Sequence, residues 1–143
     1  MNPAAAINPA HGVVRLEIPA RAEWVAVARL AVAAVVSRQR FSVDEIEDVK
    51  LAVAESCTNA IQHGSNEGTI EITCEARDDE MVLTVRDRGM GPRTNAVDAE
   101  HIGDPGRTEE LGIFLIRALM DDVEYTVDAR EGTRIVMTKR VSA

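Results

Sequence analysis

The 143-residue sequence predicts an α+β domain, a two-layer sandwich with three helices on one face of a mixed, mostly antiparallel sheet. Two observations carry this. Segments of alternating apolar residues form an opening strand and two hairpins, and between them lie segments with apolar residues three and four apart. The length also suits one core, because two halves would each bury too little surface to be stable.

Residues 1–12, rich in Ala, Asn and Pro, are expected to form a flexible tail, and 13–143 the folded domain. Val14, Leu16 and Ile18 alternate with Arg15 and Glu17 as in a strand, which Pro19 ends. Arg21 to Arg38 has helical spacing, with Trp24, Val27, Ala28, Ala31, Val32 and Val35 on one stripe. Ser42 and Glu45 are spaced as a capping box. The helix they open carries Ile46, Val49, Val53, Cys57, Ala60 and Ile61 inward and stops at Gly64. Thr69–Ala76 and Glu80–Asp87 make a hairpin turned at Asp78-Asp79. From Arg88 to Glu110 no period is visible, and Gly, Pro, Asp, Asn and Thr dominate, as in a long functional loop. Leu111 to Met120 reads as the third helix, with Phe114, Leu115, Ala118 and Leu119 facing the core. Val123–Asp128 and Thr133–Lys139 form the second hairpin.

Composition narrows the function. Aromatic residues are only 3%, so the core is aliphatic. A net charge of −8 argues against nucleic-acid binding and against an anionic membrane surface. Val25–Val36 is the most apolar run, but it holds Arg29 and is too short to span a bilayer. The start lacks the basic and apolar regions of a secretory signal. Cys57 and Cys74 lack metal spacing and read as core residues in a reducing compartment, so the expected location is cytoplasmic.

Four constellations bear on chemistry. Glu55, Asn59 and His63 follow one another in steps of four, stacked ~6 Å apart on one helix face. A carboxylate there can serve as general base, and an Asn carbonyl is a hard oxygen ligand suited to Mg²⁺; for the pattern alone, a solvated helix edge is the plainer reading. Asp87-Arg-Gly-Met-Gly91 follows a strand, so that Gly89 and Gly91 let backbone approach a ligand while Asp87 accepts a hydrogen bond from its amine; a Gly-rich turn is the plain alternative. Gly112, read as lying just inside a helix start, would offer free N–H groups to phosphate, with Arg107 and Thr108 as further donors. Thr133, after Gly132, has a hydroxyl within possible reach of phosphate, although β-propensity accounts for it too.

In order and spacing, E-x-x-x-N, D-x-G-x-G, a loop, a glycine before Ala118-Leu-Met-Asp-Asp-Val123, and Gly132-Thr133 resemble the GHKL (Bergerat-fold) ATPases. Within them the chain is similar to the anti-sigma regulatory factor serine/threonine kinases, over about residues 13–140. The resemblance implies a Bergerat fold with an ATP lid, ATP and Mg²⁺ as cofactors, and a role in transcription regulation. It implies an enzyme that phosphorylates a Ser or Thr of an anti-anti-sigma (STAS-type) antagonist and sequesters a sigma factor, usually as a homodimer. It further implies Glu55 as the base, Asn59 as the Mg²⁺ ligand and Asp87 at the adenine amino group. Gly89 and Gly91 would line the adenine, Gly112 the phosphates, and Thr133 a nucleotide contact. Two positions depart from the pattern: Glu110 stands where a second glycine is usual, and Pro92 where an aromatic is common. The lid arginine of the family would fall at Thr108 rather than Arg107. The departures bear on catalysis and lid closure rather than on fold. They keep open an alternative, a non-catalytic partner-binding module of the same fold.

Overall fold

The computed structural model describes residues 12–63, 68–88, 103–128 and 132–142, with backbone alone at 63, 88, 103–110 and 128. Strand β1 spans Gly12–Pro19. A 3-10 turn at Ala22–Trp24 leads into helix α1, Val25–Val36, and helix α2, Val43–His63, follows. Strands β2, Thr69–Ala76, and β3, Glu80–Arg88, come next. Helix α3, Gly103–Leu119, precedes β4, Asp122–Asp128, and β5, Gly132–Arg140.

The strands form one sheet in the order β1-β2-β3-β5-β4. All four pairings are antiparallel, so the mixed sheet expected from sequence has no parallel pair among the described residues. The connections explain this. Two helices intervene between β1 and β2, and α3 plus β4 between β3 and β5; an even number of passes returns the chain in the opposite direction.

Alternation decides which sheet face the helices cover. Ile70, Ile72 and Cys74 on β2, Met81, Leu83 and Val85 on β3, and Ile135 and Met137 on β5 are buried, whereas Glu71, Thr73, Thr84 and Arg86 on the other face are half-buried. Against that face α2 packs Val49, Val53, Cys57 and Ala60, as its spacing predicts, and Ala52 is buried with them. Burial of each Val, Ile or Leu is worth about 1.5–3 kcal/mol. Ser56 is also buried, its hydroxyl donating to the Ala52 carbonyl at 2.8 Å. The capping box forms: Ser42 N–H donates to Glu45 Oε1 at 2.7 Å and Glu45 N–H to Ser42 Oγ at 3.1 Å.

Two helices differ from the sequence expectation. On α1 the buried stripe is Ala28, Val32 and Val36, while Trp24 and Val27 stay exposed. The segment is apolar on nearly every side, so its own pattern does not say which side meets α2. Helix α3 begins at Gly103, eight residues before Leu111. Residues 103–110 contain no large apolar side chain, which leaves periodicity silent, yet Pro105 suits a first turn. The inward residues of α3 are Ile116 and Met120, with Ile113 and Leu119 partly buried. Phe114, expected in the core, is 72% exposed; Ala118 is exposed and Leu115 half-buried. An earlier start does not shift helical phase; packing against α2 sets it.

Candidate functional site

Helix α2 is amphipathic in an unusual sense, because its polar second face is partly covered. Asn59 is only 3% exposed, which removes the solvated-edge reading for it, and Glu55, one turn earlier, is half-buried. Helix α3 lies across this face and forms with it a cleft of about 330 Å³ lined by Glu55, Thr58, Asn59, Gln62, Leu111, Gly112 and Leu115. That volume is in the range of small-ligand sites. A larger hollow of about 430 Å³, between Gly12, Val13 and Glu75–Asp78, contains none of the candidate residues.

The cleft thus brings together Glu55, Asn59 and Gly112. Thr58, Gln62, Leu111 and Leu115 join them, none of which the sequence reading assigned to a site. Gln62 had a legible signal. At about 100° per residue it falls within about 20° of Glu55 around the helix, whereas His63 falls about 80° away. The side chain of His63 lies outside the described residues.

Gly112 requires a correction. It was expected just inside a helix start, with its N–H free for phosphate; instead it stands in the interior of α3, because the helix begins at Gly103. What it offers the cleft is the absence of a side chain. A Cβ there would lie 2.9 Å from Asn59 Oδ1 and 3.0 Å from Asn59 Nδ2.

Asp87 and Thr133 do not line the cleft. Both are buried, at 0% and 4% exposure, on the helix-covered side of the sheet. The register that pairs Arg86 with Arg134 sets Asp87 beside Thr133 where β3 ends and β5 begins. Gly132, at φ +88°, takes the left-handed conformation that brings the chain into β5. Gly89, Gly91 and Pro92 lie outside the described residues, as do the side chains of Arg107, Thr108 and Glu110, although α3 includes their backbone.

The donor set fits Mg²⁺ held chiefly by a nucleotide. Asn59 Nδ2 is buried with no hydrogen-bond partner, so its N–H groups do not hold the amide, and its oxygen is a hard ligand. Among the described residues no group of three or more His, Cys, Asp or Glu could cage a metal. One protein ligand, with phosphate and water supplying the rest, is the usual arrangement for Mg²⁺. Cys57 and Cys74 take no part; burial pushes their thiols up to about 12 and about 11.

Comparison with known proteins agrees with this fold. The family model described as the histidine kinase-like ATPase domain matches residues 18–139. Proteins named serine-protein kinase RsbW from Bacillus cereus (strain Q1) and Bacillus thuringiensis subsp. konkukian (strain 97-27) are each 37% identical over 141 residues, covering 90% of this chain and 84% of theirs. Among solved structures, the RsbU and RsbW domains of a Mycobacterium tuberculosis protein superpose with a TM-score of 0.69 at 20% identity, over 92% of this chain. This chain spans 33% of that one. A histidine kinase domain of a blue-light activated histidine kinase from Erythrobacter litoralis superposes at 0.52, also at 20% identity, over 87% of this chain and 62% of its own. At that identity the two structures speak for the fold. No helix of the described residues is long and apolar enough to cross a membrane.

Proposed function

This chain belongs to the family of the serine-protein kinase RsbW, built on the histidine kinase-like ATPase domain, and from that membership we propose how its residues serve the reaction. The reading is an ATP-dependent anti-sigma kinase whose transfer site is the α2–α3 cleft. Glu55, half-buried at the cleft wall, accepts the proton of a Ser or Thr hydroxyl on the partner protein as that oxygen bonds to the γ-phosphorus. The bond from the γ-phosphorus to the bridging oxygen breaks, and ADP carries away the electron pair. Asn59 would hold Mg²⁺ through its amide oxygen, and the ion would neutralise charge on the phosphate oxygens. Asp87, buried at the end of β3, would accept a hydrogen bond from the adenine amino group, with Thr133 beside it. Gly89, Gly91, Arg107 and Thr108 keep the roles the resemblance gives them, on the adenine side and the phosphate side.

The observation that carries the reading is a carboxylate and a buried amide one helical turn apart on the wall of one cleft. The proposed partners are a sigma factor and a STAS-type anti-anti-sigma protein, with a homodimer as the working unit and the cytoplasm as its place. A net charge of −8 favours a basic face on a partner through steering. The name borne by the relatives speaks for a kinase over a non-catalytic module.

Transfer of label from γ-labelled ATP to an anti-anti-sigma protein tests this. Glu55→Gln is expected to slow transfer by about 10²–10⁴-fold while nucleotide affinity stays within a few-fold. Equal transfer by the variant removes Glu55 from the chemistry. Absence of transfer by the unaltered protein, with partner binding intact, leaves the binding module.

A further inference from the structure

A glycine in the interior of a 17-residue helix calls for a reason, since it costs about 1 kcal/mol relative to alanine. No positive φ explains Gly112: among the described residues only Gly12 and Gly132 have one. The contact does. A Cβ at position 112 would meet Asn59 Oδ1 at 2.9 Å, Nδ2 at 3.0 Å and Cγ at 3.3 Å, the whole amide group. Real Cβ atoms essentially never come as near as the first of these distances, and the other two are tighter than most. Asn59 has little freedom to give way, because its side chain is short and the residue is 3% exposed between α2 and α3. Its Nδ2 has no hydrogen-bond partner, so no hydrogen bond from the amide nitrogen holds the amide plane. The bare backbone of α3 is the surface against which that plane rests.

We infer that Gly112 is a positioning residue for Asn59: it supplies no ligand, and its missing side chain sets the orientation of the amide that holds the metal. The inference rests on the reading of Asn59 as the Mg²⁺ ligand. Any side chain at 112 turns or displaces the amide and moves its oxygen from the direction in which a nucleotide-bound ion would be met. The effect is therefore specific to the metal. Nucleotide binding without Mg²⁺ does not use the Asn59 oxygen and is unchanged.

Calorimetric titration with ADP, in excess Mg²⁺ and separately in EDTA, separates the possibilities. Gly112→Ala is expected to match the unaltered protein within about twofold in EDTA and to bind about tenfold or more weakly in Mg²⁺, the scale seen when groups that orient a metal ligand are lost. Asn59→Ala is expected to show the same pattern. Adding Gly112→Ala to Asn59→Ala changes nothing beyond about twofold, because the truncated side chain on α2 leaves room for the new methyl. If Asn59→Ala loses the Mg²⁺ increment and Gly112→Ala keeps it, the positioning role is overturned while the ligand reading stands. If Asn59→Ala itself keeps the increment, the ligand reading fails and the inference with it. An equal loss in EDTA and in Mg²⁺ for Gly112→Ala also overturns the inference, since it would place the Gly112 backbone on the nucleotide. Should Gly112→Ala not fold, recovery of a cooperative melt in the double variant supports the clash with Asn59, and a double variant that stays unfolded overturns it.

Discussion

Replacing Lys139 by Met should loosen the joint that holds the cleft helices together, and the structure gives the size of the effect. Lys139 lies near the end of β5, on the helix-covered face. Its Nζ donates to the carbonyl of Leu119, the last residue of α3, at 2.6 Å, and lies 3.6 Å from Asp48 Oδ2 on α2. The lysine side chain is 12% exposed and that of Asp48 42%. A hydrogen bond from a charged donor contributes about 1.5–3 kcal/mol, and a cation at a helix C-terminus is favoured by the helix dipole. The ion pair with the more exposed Asp48 adds under about 1 kcal/mol. Met keeps most of the apolar stem, so packing losses stay small. The expected loss is about 2 kcal/mol, or roughly 6–7 °C in Tm for a chain of this length. Asp48→Asn should cost under about 1 kcal/mol. Calorimetric melts and urea titrations of both variants, at low salt and in 0.5 M NaCl, measure this. Most of the Lys139→Met loss should survive the salt, because its main partner is a neutral carbonyl. Equal losses for the two variants, or a Lys139→Met loss under about 0.5 kcal/mol, would refute the claim that the carbonyl contact matters more than the ion pair.

The phase of α3 predicts opposite outcomes for neighbouring apolar residues. Phe114→Ala, at a position 72% exposed, should change stability by under about 0.5 kcal/mol, whereas Ile116→Ala, at 0%, should cost about 2–5 kcal/mol in urea unfolding. A large loss for Phe114→Ala would mean that its ring packs against something. The thiols give a signed pH effect. Unfolded cysteines ionise near 9.0, and burial raises Cys57 to about 12 and Cys74 to about 11. The folded state therefore keeps protons that the unfolded chain gives up. The stability due to these groups is complete below about pH 9 and falls as pH rises toward 11 and 12. The double variant Cys57→Ala/Cys74→Ala should show a shallower decline in urea midpoint between pH 9 and 11, and parallel declines would contradict the shift.

Much of the fold was legible because its signals are local. The alternation in β2 and β3, the Ser42–Glu45 box and the inward stripe of α2 each depend on residues within a few positions of one another, and the structure places them as read. The candidate site was legible only in part. Glu55 and Asn59 share a helix, so their spacing alone puts them on one face. Leu111 and Leu115 belong to the cleft only because α3 crosses α2 in a particular phase, and no spacing within α3 reveals that.

Sequence by itself determined the element types, the core face of α2 and the carboxylate–amide pair, since these follow from the periods of helix and strand. Tertiary structure alone decided which sides of α1 and α3 face inward, because both carry apolar residues on more than one side and only the partner helix selects among them. It also decided what Gly112 does. Along the chain this glycine reads as a residue just inside a helix start. Its use became visible only where the side chain it lacks would have collided with Asn59, 53 residues earlier in the sequence.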